Sequence, residues 1–231
     1  MVGHRGNPAE HPENTLASFR SAIELGVDMI ECDVHMSRDG HLVVIHDETV
    51  DRTTNGHGAV RDLALDQLRA LDAGRGERLP LLEEVVELAK GRLGLIVETK
   101  QYPVPYEGLE EKLVQLLRAA GTVEETTVIS FFHPTIKRLK ELEPGLSGGI
   151  LLIPDSRPQD PVAQLRAADA DIYSPYFAAM DPALVEEVHA AGGVVSVWTV
   201  DDEAGVMWCK ACRPDAVATN RPRVIGPALR D

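Results

Sequence analysis

Short apolar runs and amphipathic stretches alternate along most of this chain. From Leu81 onward, runs rich in β-branched residues are followed by segments with the apolar spacing of helices, which is typical of repeated β/α units around a parallel sheet. Earlier, strands are predicted over residues 2–4 and 29–34, with a helix over about 14–25 between them. The later strands are predicted to end near Glu98, Ser130, Leu152, Ser174, Trp198 and Thr219.

Eight predicted strands in 231 residues fit a (β/α)8 TIM barrel, whose typical length is about 250 residues. A doubly wound open sheet is the structural alternative. One interval between strand ends is unusually long, because 67 positions separate Glu31 from Glu98. We therefore predict a single barrel domain over residues 1–231, with an insertion at about 48–78.

The long interval begins with a predicted β-hairpin. Residues 29–34 and 42–46 are joined only by residues 35–41, where Asp39-Gly40 is a turn signal. A parallel partner would need a crossover of a dozen or more residues. The second run should therefore return antiparallel and bring His46 to the level of Asp33, and the polar, turn-rich segment after it should form a small cap over one mouth of the barrel.

Composition and charge narrow the function classes. The chain has 37 Asp and Glu against 23 Lys and Arg, a formal net charge of −14, which argues against a non-specific nucleic-acid binder or a protein of anionic membranes. No apolar run approaches the roughly 20 residues of a membrane helix, and no signal-peptide pattern follows Met1. We expect a soluble, cytoplasmic protein without a nucleic-acid or membrane partner; the oligomeric state has no sequence signal.

Three acidic residues interrupt apolar strand runs. Glu31 and Asp33 point to the same face of their predicted strand, because side chains alternate along a strand. Two carboxylates at such a short distance repel each other, and this repulsion is costly unless a cation binds between them or one of them takes a proton. Glu98, at another strand end, could supply a third ligand, and an all-oxygen set favours Mg²⁺ or Ca²⁺ over zinc. The alternative is that these acids form salt bridges with neighbouring Arg and Lys.

Two histidines and two cations accompany the acids. His4 and Arg5 end the first strand, which in a barrel places them at the catalytic mouth. Histidine exchanges protons near neutral pH, and arginine can bind a phosphate through two hydrogen bonds. His46 is a second histidine, and Lys100 lies on the face of Glu98. This set suits phosphoryl chemistry, although a hydrogen-bonded packing role is the alternative for each histidine.

Eight of the ten aromatic residues lie at or just after predicted strand ends. Such crowding predicts an apolar wall beside a polar centre, as in pockets for organic ligands. Ordinary packing under the loops is the alternative for each ring. Trp198 is the aromatic residue that we expect to contact a ligand.

A series of short motifs stands in fixed order along the chain. The motifs are His4-Arg5-Gly6, Pro12-Glu13-Asn14-Thr15, Glu31-Cys32-Asp33-Val34, Asp39-Gly40, Val43-Val44-Ile45-His46-Asp47, Arg52-Thr53-Thr54, Glu98-Thr99-Lys100 and Trp198-Thr199-Val200. Together they resemble the glycerophosphodiester phosphodiesterase family over nearly the whole chain. The resemblance implies that Glu31, Asp33 and Glu98 hold a divalent metal, Mg²⁺ or Ca²⁺. It implies that His4 and His46 are the acid and the base, and that Arg5 and Lys100 meet the phosphate.

The family resemblance also implies a substrate and a reaction. A small-molecule glycerophosphodiester would be cleaved to glycerol 3-phosphate and an alcohol, with the substrate's own glycerol hydroxyl as nucleophile and a cyclic phosphate that water then opens. We expect His46 as the base and His4 as the acid of the first step. The alternatives are a related barrel phosphodiesterase for lysophospholipids or phosphoinositides, and a non-catalytic barrel that binds phosphate or metal.

Three positions depart from the pattern or remain open. Where the family often has Asn after the Trp-Thr-Val triplet this chain has Asp201, and where the last strand often ends Thr-Asp this chain has Thr219-Asn220. We interpret both differences as affecting substrate fit. His35 shares the strand face of Glu31 and Asp33; we expect it on the hairpin surface, with a place among the metal ligands as the alternative.

Overall fold

Parallel strands close into a ring with helices packed around the outside. The computed structural model describes residues 1–154 and 160–230. The strands are β1 (Val2–His4), β2 (Met29–Met36), β3 (Leu42–Val44), β4 (Gly94–Thr99), β5 (Thr126–Ser130), β6 (Ser147–Leu151), β7 (Ile172–Ser174), β8 (Val194–Val197) and β9 (Ala216–Thr219). The helices are α1 (Leu16–Glu24), α2 (Leu65–Arg69), α3 (Leu82–Ala89), α4 (Leu109–Ala120), α5 (His133–Leu142), α6 (Pro161–Ala168), α7 (Pro182–Ala190), α8 (Glu203–Cys212) and α9 (Pro222–Arg230).

The ring closes because β1 pairs in parallel with both β2 and β9. The order around the barrel is β1, β2, β4, β5, β6, β7, β8 and β9, so sequential strands are neighbours apart from the hairpin strand β3. The prediction of a (β/α)8 TIM barrel is confirmed, and the open doubly wound alternative is wrong. The six later strands end within one residue of their predicted positions.

Alternation along β2 separates the core from the barrel interior. Ile30, Cys32 and Val34 are fully buried in the main hydrophobic cluster between strands and helices, while Glu31 and Asp33 point to the opposite face. On the helix side, Phe19 and Ala22 of α1 are completely buried against the same cluster. The apolar layer therefore fixes which residues of β2 can reach the interior of the ring.

The predicted hairpin is present. β3 pairs antiparallel with β2, with Val34 opposite Val44 and Met36 opposite Leu42. Beyond the strand, the Ile45 amide donates to the Asp33 carbonyl at 3.0 Å, so the chain returns to Asp33 as predicted.

The polar segment after β3 carries a short 3₁₀ turn (Val60–Asp62) and α2. It packs on a small apolar cluster that is separate from the main core. The buried members of this cluster are Val43, Ile45, Val50, Val60, Leu68, Ala73 and Leu79. The segment also contacts the loop after β1, where Arg52 binds Glu13 at 2.8 Å.

The single domain over residues 1–231 and the insertion at about 48–78 stay predictions. Residues 155–159 and 231 lie outside the described part of the chain. In the described part, no helix has the length and apolar character needed to cross a membrane.

The loop after β1 packs tightly on α1 at Gly6. Gly6 has φ +87°, and a Cβ there would lie 2.6 Å from the Ser18 backbone carbon and 2.7 Å from its carbonyl oxygen. Gly26 has a similar φ of +73°, but a Cβ there would meet nothing within 4 Å. A side chain at Gly26 would meet backbone strain alone, whereas one at Gly6 would meet both backbone strain and steric overlap with α1.

We expect Gly26→Ala to lower the free energy of unfolding by about 1–2 kcal/mol, the cost of a left-handed non-glycine residue. Gly6→Ala should lower it by more, because the new methyl group must also displace the α1 backbone. Urea unfolding of both variants measures the difference. Equal destabilisation would contradict the close packing of this loop.

Candidate active site

Three buried carboxylates meet at the carboxyl-terminal end of the barrel strands. Glu31 and Asp33 lie on β2 and Glu98 on β4, where Asp33 and Glu98 are register partners. One carboxylate oxygen from each residue lies within 4.8 Å of the other two. All three side chains are buried. The structure therefore brings together the three residues that were predicted as metal ligands.

Two cations also reach this cluster. Lys100 Nζ lies 2.8 Å from Asp33 Oδ1 and contacts Glu98 Oε1, and Arg5 Nε lies 3.2 Å from Asp33 Oδ2. The alternative of salt bridges thus describes Asp33 and Glu98. It does not describe Glu31, whose Oε2 accepts from the Arg5 amide at 2.9 Å and whose buried Oε1 has no hydrogen-bond partner among the described residues.

The electrostatics of the cluster favour a further positive charge. Burial, with Asp33 close by, raises the pKa of Glu31 to about 8. Burial and the neighbouring carboxylates raise the pKa of Glu98 to about 7, although Lys100 opposes this. Burial also disfavours ionised Asp33, but Lys100 and Arg5 hold its pKa well below its usual range. The raised pKa values of Glu31 and Glu98 mean that all three acids ionise together only when a further positive charge is present. An oxygen-only donor set with a buried Glu31 Oε1 that has no hydrogen-bond partner among the described residues fits a hard divalent ion.

His4 ends β1 beside these carboxylates. Its Nδ1 lies 2.7 Å from Asn220 Oδ1, and its Nε2 lies 3.9 Å from Glu31 Oε2. Burial and the charge of Arg5 lower its pKa. Asn220 in turn donates its amide Nδ2 to Asp201 Oδ2 at 2.7 Å. The two departures from the family pattern are therefore in contact with each other and adjacent to His4.

His46 is held by a carboxylate. Its Nδ1 lies 2.7 Å from Asp47 Oδ1, and Arg52 Nε donates to Asp47 Oδ2 at 2.6 Å. Since Arg52 holds the pKa of Asp47 below its usual range, the Asp47 carboxylate accepts, and His46 Nδ1 carries the proton. The Nε2 atom is then left for proton exchange. Burial and Lys100 lower the pKa of His46.

An ion-pair chain joins the second histidine to the acid cluster. Arg52 bridges Asp47 and Glu13, and Glu13 Oε1 lies 2.9 Å from Arg5 Nη1. Asn14 donates its Nδ2 to Asp33 Oδ2 at 2.7 Å. These supporting residues received no role from the sequence, although the motifs that contain them are visible in it.

His35 does not lie on the hairpin surface, so that expectation is wrong. It is buried, its Nδ1 lies 2.8 Å from the Tyr106 hydroxyl and its Nε2 lies 3.1 Å from the His46 carbonyl oxygen. Because a carbonyl only accepts, Nε2 donates and the Tyr106 hydroxyl donates to Nδ1. Burial lowers the pKa of His35 to about 4, so a neutral ring holds the main chain at His46.

Two adjoining cavities open at this end of the barrel. The smaller, about 100 Å³, is lined by both candidate catalytic histidines together with Arg5, Glu31 and Trp198. The larger, about 630 Å³, includes Lys100 and Tyr102 in its wall. His46, Glu98 and Phe131 line both cavities.

Trp198 belongs to an aromatic cluster at the mouth. Its ring meets Phe131 edge-on at 5.6 Å and Tyr176 at 5.7 Å between centroids, and its indole Nε1 donates to the Ser174 carbonyl at 3.0 Å. Tyr173, by contrast, is fully buried in the main core cluster. An aromatic wall is therefore present, but the alternative of ordinary packing applies to Tyr173.

Comparison with known proteins agrees with this geometry. A model of the glycerophosphoryl diester phosphodiesterase family matches residues 4–224. The chain is 37% identical to a glycerophosphodiester phosphodiesterase of Caldanaerobacter subterraneus subsp. tengcongensis over 233 aligned positions, which cover 97% of this chain and 95% of the relative.

Solved structures show the same similarity. The glycerophosphodiester phosphodiesterase of Agrobacterium tumefaciens superposes with a TM-score of 0.85 at 32% identity, covering 98% of each chain. An Oleispira antarctica phosphodiesterase in complex with the product sn-glycerol-3-phosphate superposes with a TM-score of 0.88 at 29% identity, covering 100% of this chain and 96% of that one. This chain belongs to the glycerophosphoryl diester phosphodiesterase family of enzymes.

Proposed function

We propose that this enzyme hydrolyses glycerophosphodiesters to glycerol 3-phosphate and an alcohol, using a divalent ion, Mg²⁺ or Ca²⁺, and the two histidines as acid and base. The observation that carries the proposal is the buried set of Glu31, Asp33 and Glu98 within 4.8 Å, in a cavity that His4 and His46 also line. The product complex of the Oleispira antarctica relative supports the substrate class.

Glu31, Asp33 and Glu98 are the residues that would hold the ion. When bound, the ion supplies positive charge against the negative charge that develops on phosphate oxygens. The three carboxylates project from β2 and β4, so the strands hold the ligand oxygens in place before substrate binds.

Arg5 and Lys100 are the proposed phosphate contacts. The two cavities share a junction lined by His46, Glu98 and Phe131. Arg5 lines the smaller cavity and Lys100 the larger, and both cations contact Asp33. Fixed cations aimed at a charge that grows in the transition state lower the barrier without reorganisation. We place the phosphate at that junction, with the leaving alcohol in the larger cavity and Trp198 beside the substrate.

His4 and His46 move the protons. In the first step His46 takes the proton of the glycerol hydroxyl as its oxygen bonds to phosphorus, and His4 gives a proton to the alcohol oxygen as its bond to phosphorus breaks. Water then opens the cyclic phosphate with the two roles reversed. Each histidine starts the second step in the protonation state that this step requires, so the cycle closes.

A substrate panel on the purified protein tests the proposal. After treatment with chelator, the protein should release no glycerol 3-phosphate from glycerophosphocholine or glycerophosphoethanolamine, and Mg²⁺ or Ca²⁺ should restore release. Lysophosphatidylcholine and inositol phosphodiesters in the same panel test the alternative substrates. Full activity without metal, or no release from any glycerophosphodiester, would contradict the proposal.

A further inference from the structure

The contacts of Asp201 and Asn220 determine which nitrogen of His4 carries a proton. The Asn220 side-chain Nδ2 lies 2.7 Å from Asp201 Oδ2, and a carboxylate can only accept. The amide nitrogen must therefore point to Asp201 and the amide oxygen to His4. Since Asn220 Oδ1 lies 2.7 Å from His4 Nδ1, Nδ1 is the donor of that hydrogen bond.

Asp201 cannot easily turn away from this arrangement. Its Oδ1 accepts from the Asn220 backbone amide at 2.7 Å and from the Thr219 hydroxyl at 3.0 Å. Together with the Asn220 side chain, three donors from the end of β9 hold one carboxylate. The orientation of the Asn220 amide follows from these contacts and not from His4 itself.

We propose that Asp201 and Asn220 are positioning residues that hold His4 in the tautomer with its proton on Nδ1, so that Nε2 is the atom that exchanges protons with the substrate. That nitrogen lies on the Glu31 side of the ring, 3.9 Å from Glu31 Oε2. The catalytic consequence rests on the proposed function. The tautomer is a property of the resting protein and can be tested without substrate.

Both histidines donate a hydrogen bond from Nδ1, but to different kinds of acceptor. Asp47 accepts directly from His46 Nδ1 at 2.7 Å, whereas Asn220 transmits the polarity of the Asp201 carboxylate to His4 through a neutral amide. A carboxylate beside a catalytic imidazole sets the tautomer and orientation of the ring and stabilises the imidazolium that forms. An amide that is itself oriented by a carboxylate sets the tautomer and the orientation.

Asp201→Asn is the decisive variant. If the introduced amide keeps its oxygen on the backbone amide of Asn220, its nitrogen faces the side-chain nitrogen of Asn220, and two donors meet. The Asn220 side-chain amide is then expected to rotate, which presents its Nδ2 to His4 and forces Nδ1 to accept. The neutral His4 ring then carries its proton on Nε2 and cannot accept one there in the second step, and an Asn220 Nδ2 that faces Nδ1 opposes the imidazolium that gives a proton in the first step.

Two readouts follow this change. Carbon and nitrogen chemical shifts of isotope-labelled histidine distinguish the two neutral tautomers, with the His4 signals assigned by His4→Gln. Wild-type His4 should carry its proton on Nδ1, and Asp201→Asn should move it to Nε2. The same variant should lose kcat on the order of 10²-fold, the lower range for a positioned proton transfer, with little change in KM.

The reciprocal exchange is the rescue. In the double variant Asp201→Asn/Asn220→Asp, the new carboxylate at position 220 accepts from His4 Nδ1 and from the new amide at position 201, so the tautomer and most of kcat should return. Asp202→Asn is the matched control. Asp202 Oδ1 caps α8 through the Gly205 amide at 2.8 Å, and Asn caps as well as Asp, so tautomer and rate should match those of wild type.

Two results would overturn the inference. They are a wild-type His4 with its proton on Nε2, and an Asp201→Asn variant that keeps the Nδ1 proton, whether or not it loses rate. If Asp201→Asn fails to fold, the wild-type tautomer still decides. If wild type has no phosphodiesterase activity, the proposed function fails, and the tautomer measurements alone support or overturn the positioning role.

Discussion

His46→Ala is expected to lower kcat by about 10²- to 10⁴-fold, the usual contribution of a positioned general acid or base. The imidazole is oriented by Asp47 at Nδ1, and its main chain is held by His35, so a mobile water cannot replace it at the same place. KM should change much less, because the metal site and the proposed phosphate contacts remain. Steady-state release of glycerol 3-phosphate measures both constants.

His4→Ala should lower kcat over the same range. The double variant should be only slightly slower than the slower single variant, since residues that act as a unit are strongly non-additive. His57→Ala is the control, because the His57 side chain is 86% exposed and pairs only with Asp51 among the described residues. A His46→Ala or His4→Ala enzyme within a few-fold of wild type would contradict acid–base catalysis by this pair.

Glu31→Gln is expected to abolish metal-dependent turnover. The substitution keeps the size of the side chain but removes its charge and replaces one ligand oxygen by an amide nitrogen. Changes in outer partners of metal sites already cost about 10- to 100-fold in affinity or activity, so loss of a ligand should weaken divalent-ion binding by more than about 100-fold. Calorimetric titration with Mn²⁺ or Mg²⁺, beside the activity assay, measures the loss.

The same variant should remain folded. Without the ion, burial and the charge of Asp33 disfavour ionised Glu31 and raise its pKa to about 8. A glutamine at this position stays neutral and does not carry this electrostatic cost. Glu24→Gln, on the exposed end of α1, is the control for loss of one negative charge. Metal affinity equal to wild type in Glu31→Gln would contradict the ligand assignment.

The barrel and the acid cluster could be predicted from the sequence because both follow from regular patterns of apolar and polar residues along the strands and helices. Alternation along β2 places Glu31 and Asp33 on one face, and parallel register aligns Glu98 with Asp33. The carboxyl ends of parallel strands meet at one mouth. The histidines at the ends of β1 and the hairpin follow from the same geometry.

The supporting residues could not be placed in this way, because their contacts join distant loops. His4 and Asn220 are 216 positions apart and meet only when β9 closes the ring on β1. Asn14 reaches Asp33 from a backbone with φ +56°, which no periodic pattern indicates. His35 was misplaced because β2 continues to Met36 and Tyr106 arrives from the loop after β4 to cover it.

The proposed chemistry depends on a divalent ion between three carboxylates. Crystals soaked in Mn²⁺, a hard ion that accepts oxygen ligands and scatters anomalously, test this directly. We predict one anomalous peak in contact with oxygens of Glu31, Asp33 and Glu98 in wild type, and its absence in Glu31→Gln. Wild-type crystals without a peak at these carboxylates would contradict the metal-dependent mechanism.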